Sequence, residues 1–218
     1  MKVLAINGSP RKNGNTSTMI KAVFKELNAE GIETEEIMIG KERLRPCIAC
    51  DHCWKHKTGK CVFNDDSLNS IIEKMKQADG LLLASPVYVG DVSGPMKSFM
   101  DRAVYVAYGS EQYMRHKVGA SIVAARRVGG VAAINTINNF FAVMQMPIAN
   151  GSYWTMGLGR DNDEVSGDYE GMNIIKHLGM NMAWLMKSID FAKDHIKKPD
   201  TTTRIKSLIR CERFPKLD

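Results

Sequence analysis

The sequence predicts an α/β domain built on a parallel sheet with helices on both faces. Short apolar runs typical of strands alternate along the chain with segments whose apolar residues recur at helical spacing. The length of 218 residues suits one domain with a full core. With 44% hydrophobic and 25% charged residues, the composition is that of a folded chain and not of a disordered one.

In the first half of the chain, predicted strands and helices alternate. Lys2–Asn7 is an apolar run that predicts a buried strand. Thr18–Glu30 carries apolar residues three and four positions apart, which predicts a helix. Thr34–Ile39 is the second predicted strand and Leu68–Gln77 the next helix. Gly80–Ser85, with the sequence GLLLAS, is the third strand.

The second half continues the alternation. Gly94-Pro95 begins a helix, because proline fits the first helical turn, where its missing N–H makes no bond. Val118–Ala125 is the fourth predicted strand, Val131–Met144 an apolar helix and Pro147–Tyr153 the fifth strand. One face of a long C-terminal helix is marked by Ile174, Leu178, Met182, Leu185 and Ile189.

Five strands at this spacing fit the flavodoxin-like doubly wound order 2-1-3-4-5, although periodicity alone does not determine strand order. In such sheets, ligands bind outside the carboxyl ends of the strands, at the switch point. Two connections exceed the usual length, residues 40–66 after the second strand and about 154–168. We expect residues 1–195 to form one domain that includes the insertion 40–66, followed by a basic tail, 196–218.

Hydropathy and charge argue against two classes of partner. Nowhere do about 18 apolar residues follow one another, so we predict no membrane span. The start of the chain reaches polar residues too early for a signal-peptide core, which favours a cytoplasmic location. The net charge is +6, with Lys and Arg concentrated in the tail. Because no aromatic interleaving or nucleic-acid motif accompanies that charge, we predict a solvated tail and no nucleic-acid partner.

The loop after the first strand, residues 8–17 with the sequence GSPRKNGNTS, predicts a phosphate site. It places hydroxyls, an amide side chain and two glycines ahead of a helix N-terminus, whose N–H groups favour an anion. It lacks the Lys-Ser or Lys-Thr of a Walker A loop and the cysteine of a thiol phosphatase, and the chain has no G-x-G-x-x-G. Such a loop fits the phosphomonoester of FMN; capping and a tight turn are the structural alternative.

The loops after the third and fourth strands are predicted to hold a flat heteroaromatic ring. A tyrosine among small residues offers a ring face, and backbone amides can bond ring carbonyls and nitrogens. After the fourth strand, a cation would stabilise an anionic reduced flavin, and paired glycines permit close backbone approach. These residues are Pro86, Val87, Tyr88, Val89 and Gly90 in one loop and Arg126, Gly129 and Gly130 in the other.

Four of the five cysteines lie between Cys47 and Cys61, with the spacing Cys47-x2-Cys50-x2-Cys53-x7-Cys61. The opening C-x2-C-x2-C is that of ferredoxin-type cluster motifs. A zinc site more often pairs two C-x2-C knuckles a dozen or more residues apart. The spacing therefore favours a [4Fe–4S] cluster over a site that is empty, oxidised or filled with zinc. The last gap, seven residues instead of three, departs from the ferredoxin pattern.

Together these motifs resemble the NADPH-dependent FMN reductase family. The resemblance rests on GSPRKNGNT and on SPVY-x-G-x-x-S-G-x-x-K-x-x-x-D-R from Ser85 to Arg102, and it covers residues 1 to about 130. It implies an FMN whose isoalloxazine packs along Pro86–Gly90. The FMN phosphate would be held near Arg11 by Ser9, Asn15, Thr16 and Ser17. Helix and subunit contacts would be positioned by Lys97, Asp101 and Arg102.

Within that family, the cysteine motif resembles the iron–sulfur flavoproteins of archaea and anaerobes. This implies an FMN-dependent oxidoreductase that passes electrons between a low-potential donor such as ferredoxin, a [4Fe–4S] cluster and FMN. It further implies a homo-oligomer, a dimer or tetramer, in which one subunit's cluster approaches a neighbour's FMN. No side chain is predicted to act as acid, base or nucleophile. The alternatives are a cluster-free NAD(P)H-dependent FMN or quinone reductase and a flavodoxin-type electron carrier; the net charge and the cysteines argue against the carrier.

Overall fold

Five strands form one parallel sheet in the computed structural model, which describes residues 1–110 and 112–199. The sheet order is β2-β1-β3-β4-β5, which confirms the predicted flavodoxin-like fold. Since β1 and β3 are neighbours while β2 lies on the other side of β1, the switch point falls between β1 and β3. The strands are β1 (Lys2–Asn7), β2 (Glu33–Met38), β3 (Gly80–Pro86), β4 (Val118–Ala125) and β5 (Met156–Leu158).

Helices cover both faces of the sheet. A 3-10 helix, Glu164–Gly167, links β5 to the last helix. The α-helices of the described residues are α1 (Asn15–Ala29), α2 (His52–His56), α3 (Leu68–Gln77), α4 (Gly94–Gly109), α5 (Gly130–Val143) and α6 (Tyr169–Ala192).

The buried strand β1 shows why the central strands are continuous apolar runs. Its side chains alternate, so Val3 and Ala5 join the core formed with α1 and α6. Leu4 and Ile6 join the opposite core, formed with α3, α4 and α5. A parallel strand covered on both faces has no polar side, and this is the pattern from which the sequence predicted it.

The predicted fifth strand, Pro147–Tyr153, is wrong. That segment makes an isolated bridge between Ile148 and Gly119, and the ladder does not continue. Pro147 accepts a hydrogen bond from Gly119 through its carbonyl oxygen and has no N–H to donate. Pairing resumes at β5, which lies beside Val123–Ala125. The edge strand is therefore short. It begins after the chain has left the edge of the sheet and passed through two exposed aromatic residues, Tyr153 and Trp154.

Helix α1 begins at Asn15, three residues before the predicted start. Gly14 precedes it with extended backbone (φ −87°, ψ 174°). The first helical residues, Asn15, Thr16 and Ser17, are polar yet buried. Polar residues on a buried face hide the apolar periodicity of the helix, so the pattern predicted its start too late.

No helix among residues 1–110 and 112–199 is long and apolar enough to cross a membrane. Residues 200–218 of the basic tail, with Cys211, lie outside the described residues.

Candidate functional site

A cleft of about 180 Å³ opens at the carboxyl edge of the sheet. It is formed by the loops after β1, β3 and β4 together with the segment after β5. Eight residues predicted for FMN line it: Ser9, Arg11, Asn15, Thr16, Pro86, Val87, Tyr88 and Arg126. Three further residues were not predicted: Ala124, Gly159 and Arg160.

One end of the cleft is the N-terminus of α1. The loop before it is tightly folded, since Ser9 N–H donates to Asn7 Oδ1 (2.8 Å) and Arg11 N–H donates to Ser9 Oγ (3.2 Å). The first N–H to bond within the helix is that of Thr18, to Gly14 O (3.1 Å). The N–H groups of residues 15–17 therefore have no acceptor within the helix, which makes this end suited to an anion.

The other end of the cleft contains the turn between Tyr88 and Asp91. Tyr88 N–H donates to Asp91 O (2.8 Å), and Asp91 N–H donates to Tyr88 O (3.1 Å). The two central residues, Val89 and Gly90, have positive φ (51° and 80°). A β-branched residue in this region is strained, and Val89 is also fully exposed. The turn therefore presents exposed, strained backbone beside this end of the cleft.

Gly129 holds the loops after β3 and β4 against each other. Its φ is +91°, and a Cβ there would lie 3.0 Å from Gly90 Cα and 3.0 Å from Val87 Cγ1. Gly130 is buried at the start of α5, where a Cβ would lie 2.5 Å from Met156 Sδ. Gly129 thus permits close packing of the two loops, and Gly130 permits close packing of α5 against β5. Neither of them lines the cleft with Arg126, nor does Gly90, where a Cβ would meet no atom within 4 Å.

The four predicted cysteine ligands line one small cavity of about 20 Å³. Cys53 is buried, Cys50 is exposed, and Cys47 and Cys61 lie between these extremes. Burial raises the pKa of the Cys53 thiol, and the nearby Cys61 and Cys47 raise it further. The cavity is also lined by five larger apolar side chains, Ile48, Val62, Phe63, Tyr105 and Val106, and by Ala49, Asp51, His52 and Arg102.

The backbone of the insertion orients these cysteines. Ala49 and Asp51, on either side of Cys50, both have left-handed φ (51° and 57°), so the chain turns sharply there. Cys61 is held by Asn69, whose Oδ1 accepts from Cys61 N–H (2.8 Å) and whose Nδ2 donates to Cys61 O (3.1 Å). Among the residues described, no three His, Cys, Asp or Glu side chains are grouped so as to hold a single metal ion.

The sequence matches the family model of the NADPH-dependent FMN reductases over residues 1–161. It is similar to an iron–sulfur flavoprotein of Methanocaldococcus jannaschii, with 37% identity over 87% of this chain and 99% of the relative. An iron–sulfur flavoprotein of Methanosarcina thermophila is 34% identical over 67% of this chain and 75% of the relative. The chain belongs to the NADPH-dependent FMN reductase family.

Membership of this family makes the chain an FMN-dependent oxidoreductase. Solved structures confirm the flavodoxin-like fold. RosB superposes with a TM-score of 0.64 at 17% identity, covering 100% of this chain and 97% of the other. A flavodoxin from the domain Archaea superposes with a TM-score of 0.56 at 17% identity, covering 86% of this chain and 99% of the other.

Five of the residues predicted for FMN do not line the cleft: Val89, Gly90, Gly129 and Gly130, and also Ser17. Ser17 Oγ accepts from Asn7 Nδ2 (2.9 Å) and donates to Glu36 Oε1 (3.1 Å), and Asn7 Nδ2 also donates to Glu36 Oε1 (2.7 Å). The hydroxyl of Ser17 is therefore engaged between β1, β2 and α1. Its backbone N–H belongs to the first turn of α1 and, like those of residues 15 and 16, has no acceptor within the helix.

The segment after β5 closes the anion end of the cleft, and the sequence analysis missed it. Arg11 Nη1 donates to Arg160 O (2.6 Å), and Val165 N–H donates to Asn15 Oδ1 (3.2 Å). A Cβ at Gly159 would lie 2.7 Å from Asn15 Nδ2, so glycine is required at that contact. A correctly placed fifth strand would have identified these residues, because they follow its carboxyl end.

Gly40 is a second missed residue. It follows β2, and a Cβ there would overlap the backbone of Ser9 and Pro10. No side chain fits between this position and the loop after β1, so the conformation of that loop depends on a glycine from a neighbouring strand.

Arg102 is buried beside the cysteines, with 1% of its side chain exposed. Its Nε and Nη2 donate to Cys61 Sγ (3.3 and 3.2 Å), and its Nη1 forms an ion pair with Asp66. Lys97 and Asp101 pair with each other on the exposed side of α4. The family resemblance implied that Arg102 positions the helix and subunit contacts; in the structure its guanidinium lies inside the subunit, between α4 and the insertion.

Proposed function

We propose that this FMN-dependent oxidoreductase is an iron–sulfur flavoprotein that passes electrons between a low-potential donor such as ferredoxin, a [4Fe–4S] cluster and FMN. The observation that carries the proposal is the convergence of four cysteine side chains from one insertion on a single cavity, in a chain with a flavin-family cleft. The proposed ligands are Cys47, Cys50, Cys53 and Cys61.

The cleft suits FMN at both ends. The unpaired N–H groups at the start of α1, with the hydroxyls of Ser9 and Thr16, provide donors for a phosphomonoester. Arg11 and Arg126 supply positive charge, and Tyr88 supplies an aromatic surface at the ring end. A cation near the ring favours the reduced, anionic flavin, so we assign Arg126 to the ring and Arg11 to the phosphate end.

The cysteine cavity suits a cluster by its chemistry. Thiolates are the ligands of iron–sulfur clusters, and four thiols around one volume can each bind a different iron. Apolar side chains surround much of the cavity, and Arg102 donates hydrogen bonds to one sulfur. When bound, FMN exchanges one or two electrons and the cluster exchanges one, so the pair converts between single and paired electron transfer.

The side chains of the protein bind and orient these groups and take no acid, base or nucleophile role. The Tyr88–Asp91 turn and the loop after β4 position the ring, and Gly129 keeps them in contact. Asn69 fixes the backbone of Cys61 on both its N–H and its carbonyl side. Rigid supports of this kind keep the geometry of both sites constant when an electron arrives.

We propose that a second copy of the chain covers the groove between α4 and α5. This groove, of about 360 Å³, contains both Asp91, from the ring-side turn, and Tyr105, which also lines the cysteine cavity. A neighbour seated there would lie against both sites. Such an arrangement supports transfer from one subunit's cluster to the other's FMN.

The subunit arrangement is tested by mixed oligomers. A Cys50→Ser subunit lacks a proposed ligand, and a Gly40→Val subunit lacks the loop conformation needed for FMN. Oligomers that contain one of each should restore flavin reduction by reduced ferredoxin, whereas each variant alone should not. A chain that sediments as a monomer, or mixed oligomers without activity, would contradict the arrangement.

Anaerobic purification tests the function itself. The protein should show flavin and cluster absorbance, with about four iron and four sulfide per FMN. Cys50→Ser should lose the cluster absorbance and keep the flavin, while Cys211→Ser, outside the motif, should retain both. A preparation with flavin but no iron or sulfide would overturn the cluster. One that stays colourless when FMN is added would overturn the whole function.

A cluster-free NAD(P)H-dependent FMN or quinone reductase is the second candidate. It is favoured by the exposed turn at Val89, which leaves the ring end of the cleft accessible to a hydride donor. If it is correct, the Cys50→Ser protein should oxidise NADPH with a quinone as fast as the wild type. If the first proposal is correct, reduced ferredoxin should reduce the wild-type flavin and fail with that variant.

A further inference from the structure

We infer that the buried pair Arg102–Asp66 sets the reduction potential of the cluster through hydrogen bonds to the sulfur of Cys61. The inference rests on the proposed function, because it assigns a role toward the cluster to residues that are not its ligands. Neither residue is catalytic; both act through the sulfur of Cys61.

The guanidinium of Arg102 donates to three groups: the sulfur of Cys61, the carboxylate of Asp66 and the carbonyl oxygen of Arg45. One edge, Nε and Nη2, faces Cys61 Sγ at 3.3 and 3.2 Å. The remaining contacts go to Asp66, which Nη2 reaches at Oδ1 (3.2 Å) and Nη1 at Oδ2, and to Arg45 O, 3.3 Å from Nη1. The planar fork of arginine can make these contacts together, which the single ammonium of lysine cannot do.

Both charged groups are buried, with side-chain exposures of 1% for Arg102 and 3% for Asp66. A guanidinium stays protonated in proteins, so Arg102 carries its charge at this contact. Burial raises the pKa of Asp66, but bonds from Arg102 and Leu68 N–H outweigh it and hold that pKa below the ordinary value. Both groups are therefore charged at neutral pH.

Three elements hold this arrangement together. Arg102 belongs to α4, about 12 Å along the helix from Gly94. Cys61 and Asp66 belong to the insertion, and Asn69 belongs to α3. Asn69 fixes the backbone of Cys61. The ring of Phe63 lies 5.3 Å from Arg102 Cζ and covers the guanidinium. The donor and the sulfur thus have little freedom to separate.

Charge explains why such a contact alters the potential. One-electron reduction adds one negative charge to the cluster and its thiolates and breaks no bond in the protein. N–H groups that donate to a ligand sulfur stabilise the more negative state, and low solvent exposure strengthens the effect. Arg102 therefore raises the potential, and the carboxylate of Asp66, on the far side of the guanidinium, moderates that rise.

The test is a redox titration of the holoprotein with dithionite, in which electron paramagnetic resonance monitors the reduced cluster. Arg102→Gln should make one-electron reduction at least tenfold less favourable, a shift of about 59 mV to lower potential. Arg102→Lys, which keeps the charge and loses the fork, should shift it less in the same direction. Asp66→Asn should shift it to higher potential.

Arg45→Gln is the matched control. Arg45 belongs to the same insertion, and its guanidinium is half exposed and pairs with Asp65. Arg45→Gln removes one positive charge, as Arg102→Gln does, but leaves the N–H groups that donate to Cys61 Sγ in place. The reduction potential should therefore stay at the wild-type value. Iron, sulfide and FMN contents are measured for every variant.

Three outcomes would overturn the inference. The first is an Arg102→Gln protein that keeps its iron and sulfide and titrates at the wild-type potential. The second is loss of the cluster in all three Arg102 and Asp66 variants, which would assign the pair a structural role only. The third, a wild-type protein without iron and sulfide, is distinguishable because it removes the proposed function as well.

Discussion

The carbonyl oxygen of Cys53 occupies the space that a side chain at Gly109 would need. A Cβ at Gly109 would lie 2.7 Å from that oxygen and 3.0 Å from Trp54 N. The last residue of α4 is thus in direct contact with the backbone that carries one proposed ligand. Because α4 begins after the Tyr88–Asp91 turn, one helix connects the cleft at the sheet edge to the cysteine cavity.

Gly109→Ala should therefore reduce cluster content. The added methyl group has to displace the Cys53–Trp54 backbone, and so moves a ligand while leaving the cleft unchanged. We expect iron and sulfide per chain to fall at least by half, with FMN content retained. Gly94→Ala, at the open start of the same helix, is the control and should keep both. Wild-type iron in the Gly109 variant would refute this contact's importance.

Gly40→Ala should weaken FMN binding. The methyl group would overlap Ser9 and Pro10 and shift the loop that precedes α1. We expect at least a tenfold rise in Kd, about 1.4 kcal/mol, measured by quenching of flavin fluorescence. Gly167→Ala, where the added Cβ meets no atom within 4 Å, should leave the Kd unchanged. Equal affinities for the two variants would contradict the prediction.

Substitutions at Ser17 and Thr16 should have different effects, one on the stability of the fold and the other on FMN binding. Ser17→Ala removes a hydroxyl shared by Asn7 and Glu36, and should lower the free energy of unfolding by about 1–2 kcal/mol with little change in FMN affinity. Thr16→Val removes a hydroxyl from the cleft and should weaken FMN binding. Urea unfolding of the FMN-free protein and flavin titration give the two quantities. The reverse pattern would place the phosphate beside Ser17.

Arg126→Gln should lower the two-electron potential of bound FMN. Loss of a cation at the ring end destabilises the anionic reduced flavin relative to the oxidised form. Arg127 is its neighbour in sequence but does not line the cleft, so Arg127→Gln should leave the potential unchanged. Spectroscopic titration against reference dyes measures both variants, and equal shifts would indicate a general charge effect.

The ion pairs of Glu35 give a pH-dependent contribution to stability. Hydrogen bonds from Lys2 and Lys74 lower the pKa of Glu35. A carboxyl whose pKa is lowered by folding stabilises the folded state at pH values above its pKa in the unfolded chain, about 4.3. This stabilisation is lost as the pH falls through the lower pKa of the folded state. Glu35→Gln should cost about 0.5–1 kcal/mol at pH 7.

That cost should shrink progressively below about pH 4, as measured by urea unfolding of the FMN-free protein at several pH values. Glu33→Gln, at an exposed position of the same strand, is the control and should change stability little at any pH. A loss for Glu35→Gln that does not depend on pH would show that packing, and not charge, is responsible.

Most of the cleft was predictable because its residues are local to strand ends. Once β1, β3 and β4 were recognised as buried apolar runs, their carboxyl-end loops had to meet at one edge. Because β5 was predicted in the wrong place, two residues of the same edge, Gly159 and Arg160, were not predicted. An edge strand of three residues carries too short a pattern to be recognised.

The class of sheet, the loops that form the cleft and the cysteine motif could all be predicted from the chain alone. These depend on periodicity and on residues close together in the chain. Three contacts emerge only in the folded chain: Ser17 donates to Glu36, Gly40 lies against Ser9, and Arg102 reaches Cys61, 41 residues away. Such contacts follow from how helices and loops pack over the sheet, and packing between distant segments leaves no periodic signal in the chain.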